Sequence, residues 1–148
     1  MDMEHQAAAA VLDAPGNAER VDVTPVAGES YEAVVRGHRI VVDQPADSGG
    51  LDSAPTPVEL FVTSLATCVA YYAGRYLTRH GYSRDGLAVS AGFTMAGDRP
   101  ARVSDIRLTV RVPPGLPAER RPALHAMVRH CTVHNTLVSA PSVTIELD

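Results

Sequence analysis

Apolar residues recur at helical spacing most clearly after residue 56. Thr56-Pro57-Val58-Glu59 puts a hydroxyl at the N-cap, proline at the first helical position and a carboxylate at the third. The Thr56 oxygen can accept the otherwise unpaired Glu59 N–H, and the Glu59 carboxylate can reach back to the cap N–H. The pattern predicts a helix through Leu60, Leu65, Cys68, Tyr72 and Tyr76 to about His80, with Gly81 as its left-handed exit. The helix is apolar around most of its circumference, so it is expected to be the central buried element.

Strand-like alternation flanks it. Arg20 to Val26, Tyr31 to Arg36 and His38 to Asp43 read as strands, with turns at Ala27-Gly28 and Gly37 that suit hairpins. Gln44 to Pro55 is rich in Pro, Gly, Asp and Ser and reads as a loop. Beyond the helix, Leu87 to Thr94, Val103 to Val112 and Val143 to Leu147 are expected strands. Val103, Ile106, Leu108, Val110 and Val112 alternate well, with one irregularity at Ser104-Asp105. A second helix is expected from about Pro117 to His130, starting late or irregularly because of Pro122, and bringing Cys131 to its end. The order predicts an α+β fold: N-terminal hairpins, a long Cys-bearing helix, further strands, a second helix and a C-terminal strand. Residues 1–19 read as a flexible tail and 20–148 as one domain.

Composition narrows the function classes. The chain has 148 residues, enough for one real core, with 45% hydrophobic and 20% charged residues. No apolar run approaches the roughly 20 residues of a membrane span, and no basic segment followed by an apolar run announces a secretory signal. A cytoplasmic protein is expected. Thirteen basic residues, all Arg, face seventeen acidic ones for a net charge of −4, which offers a nucleic-acid backbone no general attraction. There is no phosphate-binding glycine loop, no serine nucleophile elbow and no pair of carboxylates of glycosidase type, and no cofactor is expected.

Two cysteines, Cys68 and Cys131, carry the chemistry to be weighed. They can be small buried hydrophobes. They can also be a redox pair, in which one thiolate attacks an electrophilic oxygen or sulfur and the other thiol resolves the product as a disulfide. Sixty-three residues separate them, so only the fold decides whether they meet. His130, Cys131 and His134 offer a weaker zinc reading that lacks a fourth ligand at short range. A histidine there can alternatively lower the pKa of Cys131. His38, at the start of a strand, reads as a surface histidine, and Tyr71, Tyr72 and Tyr76 as packing and interface residues.

Asp43-Gln44-Pro45, Gly49-Gly50, Pro55-Thr56-Pro57-Val58-Glu59-Leu60 and Leu65-Ala66-Thr67-Cys68 resemble the OsmC/Ohr family of osmotically inducible and organic hydroperoxide resistance proteins. Cys131-Thr132-Val133-His134-Asn135-Thr136-Leu137 is similar to the family's Cys-Pro-Val segment, with Thr132 in the proline position. The resemblance spans about residues 20 to 148. It implies an intertwined homodimer with two long central helices wrapped by sheets. It also implies a small-molecule hydroperoxide as substrate and a dithiol reductant as partner, with Cys68 as the peroxidatic thiol and Cys131 as the resolving thiol.

The sequence departs from the family pattern in two places. Val58 stands where peroxidase members carry a glutamate after the helix-opening proline. Neighbouring Glu59 lies about 180° around the helix from Cys68, and capping already accounts for it. The hairpin position of the family's arginine aligns near Val26-Ala27-Gly28-Glu29-Ser30, which holds no arginine. Arg36 and Arg39 are the nearest candidates for stabilising a thiolate; on a regular strand their odd spacing sends them to opposite faces. Arg75 shares roughly the face of Cys68 but lies about 10 Å along the helix axis. The departures keep an alternative open: a non-catalytic dimer of this fold that binds a small apolar or thiol-reactive ligand.

Overall fold

Backbone hydrogen bonding, more than hydrophobic burial, organises the first part of the chain. The computed structural model describes residues 19–148, so the tail read over residues 1–19 lies, but for Glu19, outside the described residues. The chain forms two compact units parted between Ala54 and Pro55.

The first unit is an antiparallel meander of β1 (Asp22–Pro25), β2 (Tyr31–Val35) and β3 (His38–Val42). The β1–β2 turn closes through Val26 N–H to Ser30 O and Ser30 N–H to Ala27 O, both 2.9 Å. The β2–β3 turn has only Arg36 and Gly37 between the paired residues Val35 and His38. Both have positive φ, +48° and +80°, the two-residue turn whose twist matches that of the strands. Arg36 therefore belongs to a turn, and the strand-face argument applied to it in sequence does not hold.

After β3 the chain coils around one side chain. Asp43, 1% exposed, accepts hydrogen bonds from the backbone N–H groups of Gln44 (2.8 Å), Leu51 (3.1 Å) and Ser53 (3.0 Å), and from the Ser53 hydroxyl (2.7 Å). These donors hold its carboxyl far below the usual carboxylate range, the Ser53 hydroxyl contributing most. Gly50 is required here: a Cβ on it would fall 1.9 Å from the Gln44 carbonyl oxygen.

The second unit is built on α1 (Pro57–Arg79). Its start is the predicted capping box: Glu59 N–H donates to Thr56 Oγ1 at 3.1 Å, and Thr56 N–H donates to Glu59 Oε2 at 2.8 Å. Its end is a Schellman motif, with Gly81 at φ +75°, Tyr82 N–H on Leu77 O (2.9 Å) and Gly81 N–H on Thr78 O (3.2 Å). Val62, Leu65, Val69, Ala73, Tyr76 and Leu77 form one buried stripe. Phe61 (40% exposed) and Tyr71 (56%) stand off it. Within this unit the helix is thus buried along a stripe rather than around most of its circumference.

The hairpin of β4 (Ala88–Met95) and β5 (Val103–Arg111) packs on α1. The irregularity read at Ser104-Asp105 is a bulge: Met95 pairs with Val103 and Thr94 with Asp105, leaving Ser104 unpaired. The extra residue returns Val103 to the half-buried face shared by Ile106, Leu108 and Val110.

The predicted helix from Pro117 to His130 is instead a 3-10 turn (Ala118–Arg120) followed by α2 (Arg121–Val128). Pro122 sits in the first turn of α2, where its missing N–H costs no helical bond. A third helix, α3 (Thr132–Val138), follows, and Cys131 is its N-cap. The break falls at residues 129–131, where no glycine or proline marks it. Val143 to Leu147, expected as a strand, has no regular structure, with Val143, Ile145 and Leu147 77%, 86% and 96% exposed. An alternating pattern becomes a strand only when a neighbour completes the ladder, and among the described residues none does.

Two connected cores result. Ala73, Tyr76 and Leu77 of α1 pack with Leu116 and Leu124, while Leu65 and Val69 pack with Cys131. Val110 and Val128 touch both. No helix among the described residues is long and apolar enough to cross a membrane.

Candidate active site

Helical spacing sets the place of Cys68. It follows Leu65 by three residues and precedes Val69 and Tyr72, so it sits at the margin of the buried stripe of α1 and is half-buried. Cys131 arrives from the opposite direction. Leaving α2, the chain turns extended at Cys131 (φ −51°, ψ 126°) and starts α3, which drives the thiol into the core at 0% exposure.

The fold therefore brings the two cysteines into one cluster with Leu65, Val69, Tyr72, Val89, Ile106, Leu108, Val128 and Val133. Both are free thiols. Burial pushes the Cys131 thiol up, and the neighbouring Cys68 thiol adds to this as a hydrogen-bonding group and through charge. Backbone amides at the start of α3 oppose the rise: His134 N–H points at Cys131 Sγ at 3.5 Å, and the Val133 amide acts in the same sense. The pair is thus asymmetric. One thiol is partly open, and the other is sealed and held protonated by its surroundings. Beside them the Tyr72 hydroxyl lies 3.3 Å from Thr132 Oγ1, joining the segment after Cys131 to the helix that bears Cys68. Helical spacing gave no sign of this contact between residues sixty positions apart.

The other sequence candidates sort by what they touch. Val58 is half-buried and brings no charge; Glu59 is engaged in the capping box. Arg75 donates to the Tyr71 hydroxyl at 2.9 Å and lies over the Tyr71 ring. In the first unit Arg39 pairs with Glu32 at 2.6 Å, whereas the Arg36 side chain is exposed and has no ion pair among the described residues. His38 is exposed at the start of β3. His130 and His134 do not share a helix, because Cys131 separates α2 from α3. Among the described residues no group of three His, Cys, Asp or Glu side chains is arranged to hold a metal.

His134 instead lines a cleft walled by Phe61, Leu65, Ile106, Leu108 and Leu137, with Ser104 and Asp105 at one side and about 790 Å³ of open space. Its Nδ1 atom is buried and meets no hydrogen-bond partner among the described residues. The cleft shares Leu65 with the thiol cluster.

Known proteins of the same architecture were then compared. A protein from Psychrobacter arcticus, described as an osmotic stress induced and detoxification response protein, superposes with a TM-score of 0.74 at 24% identity, covering 84% of this chain and 91% of that one. An OsmC-like protein from Mycoplasma pneumoniae gives 0.65 at 19% identity, covering 82% and 89%. An organic hydroperoxide resistance protein, OsmC, from Legionella pneumophila gives 0.61 at 15% identity, covering 82% and 91%. At these identities the likeness concerns the fold. None of the curated proteins matches the chain in sequence. The family profile described as OsmC-like protein matches residues 50–146, from Gly50 in the Asp43 loop through both cysteines. The chain belongs to the OsmC-like protein family.

Proposed function

We propose that this protein is a thiol-dependent peroxidase that reduces organic hydroperoxides or hydrogen peroxide in oxidative-stress defence in the cytoplasm. The observation that carries the reading is the contact cluster of half-buried Cys68 with buried Cys131. The Cys68 thiolate attacks the terminal peroxide oxygen; the O–O bond breaks, the alcohol or water leaves, and Cys68 becomes a sulfenic acid. Cys131 then loses its proton and attacks the Cys68 sulfur, forming a disulfide and releasing water. A dithiol reductant returns both to thiols by exchange.

Cys68→Ser should abolish peroxide consumption, and Cys131→Ser should leave Cys68 trapped as a sulfenic acid that a dimedone probe labels. The resolving step should accelerate as pH rises past the ordinary thiol value of about 8.5, because burial holds the Cys131 proton. Stopped-flow disulfide formation checks it. A Cys68→Ser protein as active as the parent overturns the assignment.

One observation favours a second reading, a non-catalytic dimer that binds a small apolar or thiol-reactive ligand. The His134 cleft has mostly apolar walls with Ser104 and Asp105 at one side, while Val58 supplies no carboxylate beside the helix start. Ligand binding with no turnover of cumene hydroperoxide would select it.

A further inference from the structure

Four residues on one face of α2, with Val110 at the end of β5 and Val112 just beyond it, frame a groove that the thiol chemistry does not use. Arg121, Leu124, His125 and Val128 follow one another at i, i+3, i+4 and i+7, so they lie on one side of the helix. Val110 and Val112, two residues apart across the end of β5, face them. The groove is shallow, about 210 Å³, room for one small molecule and open to solvent.

Its chemistry is two-sided. Leu124 is buried, and Val110, Val112 and Val128 are half-buried, giving an apolar floor and walls. Arg121 and His125 are exposed one helical turn apart at the rim, and no carboxylate pairs with either among the described residues. Residues 118–130 hold three arginines and one glutamate, a local charge of +2 with neutral histidines, in a chain whose net charge is −4. An apolar trough with a basic edge complements a molecule with an apolar body and one anionic head. Burying the body removes apolar surface from water, and the Arg121 guanidinium can clasp a carboxylate through two parallel hydrogen bonds.

The geometry points to a binding site for a small organic carboxylate with an apolar tail between α2 and β5, with Arg121 holding the carboxylate and Val110, Val112, Leu124 and Val128 holding the tail. His125 supplies a second ring N–H donor at the rim.

The test uses the full-length protein labelled with ¹⁵N and octanoate as the probe. Saturable shifts should appear at the amides of residues 110–112, 121 and 123–128. Arg121→Glu should weaken octanoate binding about tenfold or more, whereas neutral octanamide should bind the parent more weakly and be indifferent to that substitution. Leu124→Asn loses core packing, so Val112→Asp serves as the second variant; it should abolish binding while preserving the dispersion of the spectrum. Equal affinity for octanoate and octanamide, shifts confined to other residues, or an unchanged affinity in Arg121→Glu each overturn the assignment. The readout is binding alone, so it stands or falls independently of any peroxidase activity.

Discussion

Asp43 shows how one side chain fixes a whole loop. Its carboxylate gathers four donors from residues 44–53, and Gly50 leaves room for the Gln44 carbonyl that completes the coil. Gly50→Ala should therefore cost about 1–3 kcal/mol through forced displacement of backbone, read as a lowered denaturation midpoint. The pH dependence has a definite sign. A carboxyl whose folded pKa is depressed lends stability that is complete above its unfolded value, about 3.9, and is lost as pH falls through the folded value. The Asp43 contribution should thus be constant from neutral pH down to the ordinary carboxylate range and drain away only in stronger acid. Asp43→Asn should remove that acid limb from a stability–pH profile. Asp43-Gln44-Pro45 and Gly49-Gly50 were legible as a motif, but the reason for it, four donors converging on one carboxylate, required coordinates.

At the scale of the element, local signals were read where they were self-contained. The capping box at Thr56 and Glu59 and the exit at Gly81 satisfy backbone groups within a few residues, and the bulge at Ser104 shows as a break in the alternation, so sequence alone exposes them. The end of α2 does not work this way. It is set by Cys131 turning into the core to start α3, a demand of packing with no glycine or proline to announce it. The β2–β3 hairpin carries a cost of its own: Arg36 occupies a left-handed conformation that asparagine adopts more readily. Arg36→Asn should raise stability by about 0.5–1 kcal/mol, read as a higher midpoint in thermal melts.

For the whole molecule, exposed apolar surface is the feature to be explained. Phe61 and Tyr71 stand out from α1, and Val143, Ile145 and Leu147 lie open at the C-terminal end. Contiguous exposed apolar surface is where interaction sites are found, and these residues are the ones to test for the homodimer that the family resemblance implies. Sedimentation equilibrium should give the mass of a dimer at micromolar concentration, and Tyr71→Glu should weaken association at least about tenfold. A monomeric parent protein at high micromolar concentration would exclude this assembly.

The sequence by itself determined the α+β class, the order of elements through β5, the limits of α1 and the family, because caps, turns and alternation are short-range and written in consecutive residues. It also named Cys68 and Cys131 as the residues worth watching. Only the tertiary structure decided that they share a cluster, which of them is sealed, and that Cys131 begins a helix rather than ending one. It also decided that Arg121 and His125 edge an apolar groove. Contacts between residues sixty positions apart depend on how whole elements pack, and no local pattern encodes that distance.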